Sequence, residues 1–238
     1  MKKRIWLILL LVLALSAAAF AVYTGQYYRA DARALAALQS DETVSVVPIE
    51  DGWLFDGPSE TDALIFYPGG KVEETAYAPL LHRLAEGGLD VYLIRMPFRL
   101  AVLDPSRADH VIESGAYARR YIGGHSLGGA MAAIYAAAHA DKLDGVVLLA
   151  AYPTKALDES LSVITIYGTE DCVLNRTKLA EGEQYLPQTH ESYEIEGGNH
   201  AQFGDYGAQR GDGEAAISAE EQQRRTAAAL LQYLPLTG

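Results

Sequence analysis

The feature that most constrains the fold is a series of short, nearly unbroken apolar segments separated by stretches of helical periodicity. The segments cover residues 44–47, 53–55, 63–67, 91–94, 120–122, 146–151, 163–167 and 193–195. A strand with one wet face alternates apolar and polar side chains. A strand covered on both faces does not, and most of the later segments do not. Between them, Tyr77, Leu80, Leu81 and Leu84 fall at i, i+3, i+4 and i+7 and predict an amphipathic helix, with Pro79 tolerated near its start. Further helices are expected over 105–113, over the alanine-rich stretch 127–140, and over 218–234, where Ser218 and Glu221 have the spacing of a capping box. Two early strands followed by strand–helix alternation predict an α/β fold: an open, mainly parallel sheet of roughly eight strands with helices on both faces.

Residues 5–22 carry no charge and only one polar side chain, Ser16, and follow Lys2, Lys3 and Arg4. As a helix this run measures about 27 Å, close to the ~30 Å of a bilayer core. The basic cluster ahead of it favours the cytoplasmic side and places the remainder outside the cytoplasm. A signal peptide cut after Ala21 fits the Ala19-Phe20-Ala21 sequence. An uncut anchor fits better, because the run exceeds the usual signal core and Tyr23, Tyr27 and Tyr28 follow it like an interfacial belt. The expected organisation is therefore an anchor or signal over 1–22, a juxtamembrane linker over 23–43 with helical character around 30–38, and one domain over 44–238.

Lysines and arginines number 19 against 31 acids, a formal charge of −12. Such a surface repels phosphate backbones and excludes general nucleic-acid binding. The one cysteine, Cys172, excludes an intramolecular disulfide and a multi-cysteine metal site, and is expected to pack as a small hydrophobe. No metal or organic cofactor is implied.

The chemistry concentrates in Gly124-His125-Ser126-Leu127-Gly128, where the segment 120–122 ends and the alanine-rich helix begins. A serine on such a strand-to-helix turn is held with its hydroxyl clear of the sheet, and the flanking glycines admit the close approach of strand and helix. A serine hydroxyl is a weak nucleophile without a base and an orienting acid, which this arrangement places further along the chain at strand ends. After 163–167 comes Gly168-Thr169-Glu170-Asp171; after 193–195 comes Glu196-Gly197-Gly198-Asn199-His200. Asp171 is preferred to Glu170 as the acid. His200 is preferred among the histidines: His82, His110 and His139 fall on or beside helices, His190 starts a strand at the wrong end, and His125 is expected to point away from the nucleophile. An oxyanion would be held by the Leu127 N–H and by Gly70 or, next, Lys71, in the turn Tyr67-Pro68-Gly69-Gly70-Lys71. Lys71, Arg95 and Arg99 lie where loops leave the carboxyl ends of strands, so they either draw in an anionic ester, with Met96 and Phe98 as apolar walls, or pair with nearby acids such as Glu73 or Asp104 and never meet substrate.

Taken together, the stretches YPGGKVE, RMPFRLAVLDPSRAD, IGGHSLGGAMAA and EGGNHAQFGDYG resemble the α/β-hydrolase superfamily over about residues 44–234, and within it membrane-anchored bacterial hydrolases related to dienelactone hydrolase-like proteins. The resemblance implies a Ser126–Asp171–His200 triad acting on a small-molecule ester or related acyl bond. Ser126 stands where dienelactone hydrolases carry cysteine. Residues 152–161 leave no room for a substantial lid. The alternatives are a peptidase or thioesterase using the same triad, and a non-catalytic, membrane-anchored binding protein that kept the fold.

Overall fold

The eight apolar segments become eight strands of one sheet in the computed structural model, which describes residues 2–59, 61–113 and 117–236. These are β1 (Ser45–Ile49), β2 (Gly52–Asp56), β3 (Asp62–Tyr67), β4 (Asp90–Ile94), β5 (Arg119–His125), β6 (Gly145–Leu149), β7 (Ser162–Gly168) and β8 (His190–Ile195). Their order is β1-β2-β4-β3-β5-β6-β7-β8. β2 runs antiparallel to both its neighbours, and every other pairing is parallel.

The helices are α1 (Lys2–Gly25), α2 (Ala32–Ala36), α3 (Ala78–Glu86), α4 (Asp109–Ile112), α5 (Leu127–Ala138), α6 (Arg176–Gly182) and α7 (Ala219–Tyr233). Successive strand residues face opposite sides of the sheet. Leu64 and Phe66 of β3 join a core with Leu80, Leu81 and Leu84 of α3 and Leu230 of α7. Ile65 and Tyr67 join a second core with Ala132, Ala133 and Ala136 of α5. The unbroken apolar strands follow from this double cover. The alanines of α5 present little bulk, which lets that helix lie close to β5 and β6.

Four features depart from the sequence reading. β5 continues through Gly123 and Gly124 to His125, because both glycines keep parallel register with Phe66 and Tyr67 of β3. The helix expected over 105–113 shrinks to α4, because the buried Tyr67 hydroxyl donates to the Pro105 carbonyl and accepts the Ala108 N–H, both at 2.8 Å, and fixes a turn there. α6 was not anticipated; its polar sequence has no apolar stripe, although Asn175 caps it by accepting the Lys178 N–H. Residues 28–38, expected within a linker, are docked on the body. Tyr28 forms a parallel bridge to Val72, the Asp31 N–H donates to the Asp205 carbonyl at 2.9 Å, and Arg33 pairs with Asp205 at 2.6 Å. α1 is long and apolar enough to cross a membrane.

Candidate active site

Ser126 occupies the step from β5 into α5 with φ 52° and ψ −120°, a conformation that side-chain-bearing residues avoid. Its N–H donates to the Leu149 carbonyl at 2.8 Å, which ties the turn to β6. The turn is possible only because its flanks are bare. A Cβ on Gly124 would stand 2.4 Å from the Tyr67 carbonyl oxygen, and one on Gly128 would stand 2.2 Å from the same atom. The end of β3 occupies the space those side chains would need.

His200 Nδ1 lies 2.8 Å from Asp171 Oδ2, with both side chains almost wholly buried. The other carboxylate oxygen of Asp171 accepts the Val173 and Leu174 N–H groups at 2.9 and 2.7 Å, so the acid is aimed by its own loop. A carboxylate can only accept, so Nδ1 of His200 carries the proton and Nε2 is left with a lone pair. Nε2 is buried and has no hydrogen-bond partner among the described residues. Ser126, Leu127 and His200 line one cavity of about 360 Å³, with Tyr152, Val173 and Leu174 among its other walls. Glu170, by contrast, is exposed and its carboxylate accepts the Thr169 hydroxyl at 3.0 Å.

Two residues that the sequence analysis did not single out hold the histidine loop. Gln222 of α7, fully buried, accepts the Asn199 N–H and donates to the Asn199 carbonyl at 2.9 and 2.8 Å. Asp212 accepts the Ala201 N–H at 2.8 Å and the Cys172 and His200 N–H groups at 3.3 Å, joining the acid loop to the histidine loop. The available signal for Gln222 was a glutamine pair on the otherwise apolar side of a helix. For Asp212 there was none, since its partners are backbone. Cys172 is exposed, contrary to the packed role expected of it, because the loop holding Asp171 turns it outward.

His125 lies beneath the site. Its Nδ1 is hydrogen-bonded to the Tyr77 hydroxyl at 2.8 Å, and that hydroxyl accepts the Gly69 N–H at 3.0 Å. Its ring centroid is 4.5 Å from that of His200. Burial, with His200 beside it, holds the His125 pKa well below the ordinary imidazole value. Among the described residues no hydrogen bond engages the N–H of Gly70 or of Leu127. The two residues are adjacent: a Cβ on Gly70 would stand 2.9 Å from Leu127 Cδ2. The Lys71 N–H is not available as an alternative, because it donates to the Arg99 carbonyl at 2.9 Å.

None of Arg95, Met96, Phe98 and Arg99 lines the cavity that holds Ser126. Arg95 Nε is bound to Glu74 at 2.7 Å, and Met96 is buried in the core beneath α5. The Arg99 guanidinium lies over the Tyr27 ring at 3.4 Å, Lys71 Nζ over the Tyr23 ring at 4.1 Å, and Phe98 meets Phe20 edge-on at 5.2 Å. Phe98 and Lys71 are instead turned toward the last turns of α1 and Arg99 toward Tyr27 just beyond it, while Arg95 is held by Glu74.

A mainly parallel sheet crossed by one antiparallel strand, with a strained serine turn and a buried acid–histidine pair at its carboxyl edge, defines a class of α/β enzyme. Residues 63–224 match the alpha/beta hydrolase family, and the chain belongs to that family. Among solved structures it is similar to a predicted CIB-like hydrolase from Thermoplasma acidophilum (16% identity, TM-score 0.57, covering 79% of this chain and 99% of that one). It is also similar to a dienelactone hydrolase from Anabaena variabilis (13%, 0.55, 81% and 100%) and to a carboxylesterase from Bacillus subtilis (12%, 0.56, 85% and 95%). At such identities the likeness is one of fold. The sequence matches no curated protein.

Proposed function

We propose that the chain is a serine hydrolase cleaving an ester, or a related acyl bond, of a small molecule through Ser126, His200 and Asp171. The observation that carries this reading is the buried His200–Asp171 pair, 2.8 Å apart, with His200 lining the same cavity as the strained Ser126 and its Nε2 without a hydrogen-bond partner among the described residues. Nε2 takes the proton as Ser126 Oγ attacks the acyl carbon, and Asp171 holds the imidazole in the required tautomer and stabilises the imidazolium. The oxyanion is met by the Leu127 N–H, at the start of α5, and the Gly70 N–H. His200 then returns the proton to the leaving alcohol. Water, activated by the same nitrogen, resolves the acyl-enzyme. No step calls on a metal or an organic cofactor. The chain is held outside the cytoplasm by α1 as an uncut membrane anchor.

The test is covalent labelling of the full-length protein by a fluorophosphonate, together with turnover of a panel of ester, thioester and amide substrates. Ser126→Ala is expected to abolish labelling and turnover while the protein stays folded. Undiminished turnover in that variant refutes the assignment.

A further inference from the structure

α1 ends at Gly25, and Tyr28 is already stitched to the loop after β3: its N–H donates to the Lys71 carbonyl at 2.8 Å and its carbonyl accepts the Glu73 N–H at 2.9 Å. Three residues of chain reach at most ~10 Å. That loop, which carries Gly70, is therefore held within about one headgroup layer of the end of α1. The neighbouring loop lies deeper still. Phe98 packs against Phe20, which sits in the last turn of the uncharged run 5–22, some 7.5 Å before the helix ends at ~1.5 Å per residue. Phe98, Val102 and Leu103 are nevertheless 58%, 54% and 49% exposed, an apolar arc running from α1 along one loop. The rings of Tyr23 and Tyr27 carry Lys71 and Arg99 above them, the arrangement expected at headgroup level.

We infer that this arc is immersed in the bilayer surface around α1, so that the cavity at Ser126 faces the membrane and takes an amphiphilic acyl ester held there by its own tail. The occupant of the arc is lipid because the arc is continuous with the membrane-spanning helix and cannot be lifted away from it. The substrate half of the inference rests on the serine-hydrolase reading; the docking half does not. A site held at headgroup level by its own anchor needs no lid to keep it dry before contact, in keeping with the short connection over 152–161.

The two halves are tested separately on full-length protein in vesicles of phosphatidylcholine with phosphatidylglycerol. In a Cys172→Ser background, spin labels are attached through Phe98→Cys, Val102→Cys or Leu103→Cys, and through Val47→Cys and Tyr193→Cys at the two outer strands as controls. The first three are expected to collide with oxygen more than with a water-soluble nickel chelate, and the controls the reverse. Nickel-dominated collisions at 98 and 102, spin–spin broadening between copies there, or a native protein cut after Ala21 overturns the docking. For the substrate, the double change Val102→Asp with Leu103→Asp is expected to slow hydrolysis of a long-chain ester in the vesicles about tenfold and leave a soluble short-chain ester unaffected. Equal effects on both esters overturn the membrane-substrate assignment. Wild type inactive on both removes the hydrolase reading, and the substrate half with it, while the spin labels still decide the docking.

Discussion

Ser126 should make the protein less stable than it could be, and the size of the effect follows from its backbone. At φ 52° and ψ −120° a residue with a Cβ gives up about 1–3 kcal/mol relative to an unstrained position. Glycine adopts that conformation freely, but loses about 0.5–1 kcal/mol through its looser unfolded chain. The side chain adds little on the other side: Ser126 is half-buried and its hydroxyl makes no hydrogen bond among the described residues. Ser126→Gly is therefore expected to stabilise the fold by about 1–2 kcal/mol, and Ser126→Ala, which keeps the Cβ and the strain, to change it by less than about 0.5 kcal/mol. For a body of this size that is a rise of roughly 2–8 °C in Tm for the glycine variant. Thermal denaturation of the detergent-solubilised protein, followed by circular dichroism with the alanine variant alongside, reads the difference. A glycine variant no more stable than the alanine variant would mean that the turn is not strained, and the argument fails.

Tyr77→Phe removes the hydroxyl that satisfies both the Gly69 N–H and His125 Nδ1, and should cost about 2–4 kcal/mol in urea denaturation, since two buried polar atoms lose their partner. Less than about 0.5 kcal/mol would dissolve the network. Asp171→Asn should lower kcat by several orders of magnitude while Glu170→Gln keeps most activity; the opposite pattern would assign the acid to Glu170. His125 is held neutral below the usual imidazole value, so the unfolded chain takes up a proton there first as pH falls. Stability at this group is intact above about pH 6.5 and falls by up to ~1.4 kcal/mol per pH unit below it, a slope that His125→Asn should flatten in denaturation curves taken across that range.

The middle of the sheet was legible because β3, β4, β6 and β7 are buried on both faces, and a doubly covered strand announces itself by losing alternation. β8 begins three residues before its apolar run, because its first half, the half-buried His190 followed by the exposed Glu191 and Ser192, has no apolar signal. The serine turn and the positions of Asp171 and His200 were legible for a different reason: each lies where a strand must end, so chain order and apolar runs suffice to place it. What escaped was held by partners distant in sequence. Asp212 reaches backbone on two other loops, Gln222 reaches back to Asn199, and Arg33 finds Asp205 across most of the chain. The three cations were misread for the same reason. Proximity to strand ends put Lys71, Arg95 and Arg99 near the site, but their direction was set by Tyr23, Glu74 and Tyr27, which local sequence does not connect to them.

Backbone strain is confined to one edge of the sheet. Every non-glycine residue with positive φ among the described residues, namely Lys71, Phe98, Arg99, Ser126 and Ala150, sits on a loop leaving the carboxyl end of β3, β4, β5 or β6. A turn that needed only to close could have used glycine at these places at lower cost, and the chain is not short of it, with 22. The amino edge of the same strands is built by the opposite logic. There Asp144 accepts the Arg120 N–H and Asp90 accepts the Gly57 N–H, each at 2.8 Å, so carboxylates tie down backbone amides where neighbouring strands begin and end. Side chains kept in unfavourable conformations are kept for what they touch. Phe98 and Lys71 touch the last turns of α1, Arg99 touches Tyr27 just beyond it, and Lys71 and Arg99 are themselves joined through the Lys71 N–H. The strained residues at the carboxyl edge thus lie on the loops that bring α1, Gly70 and the serine turn together.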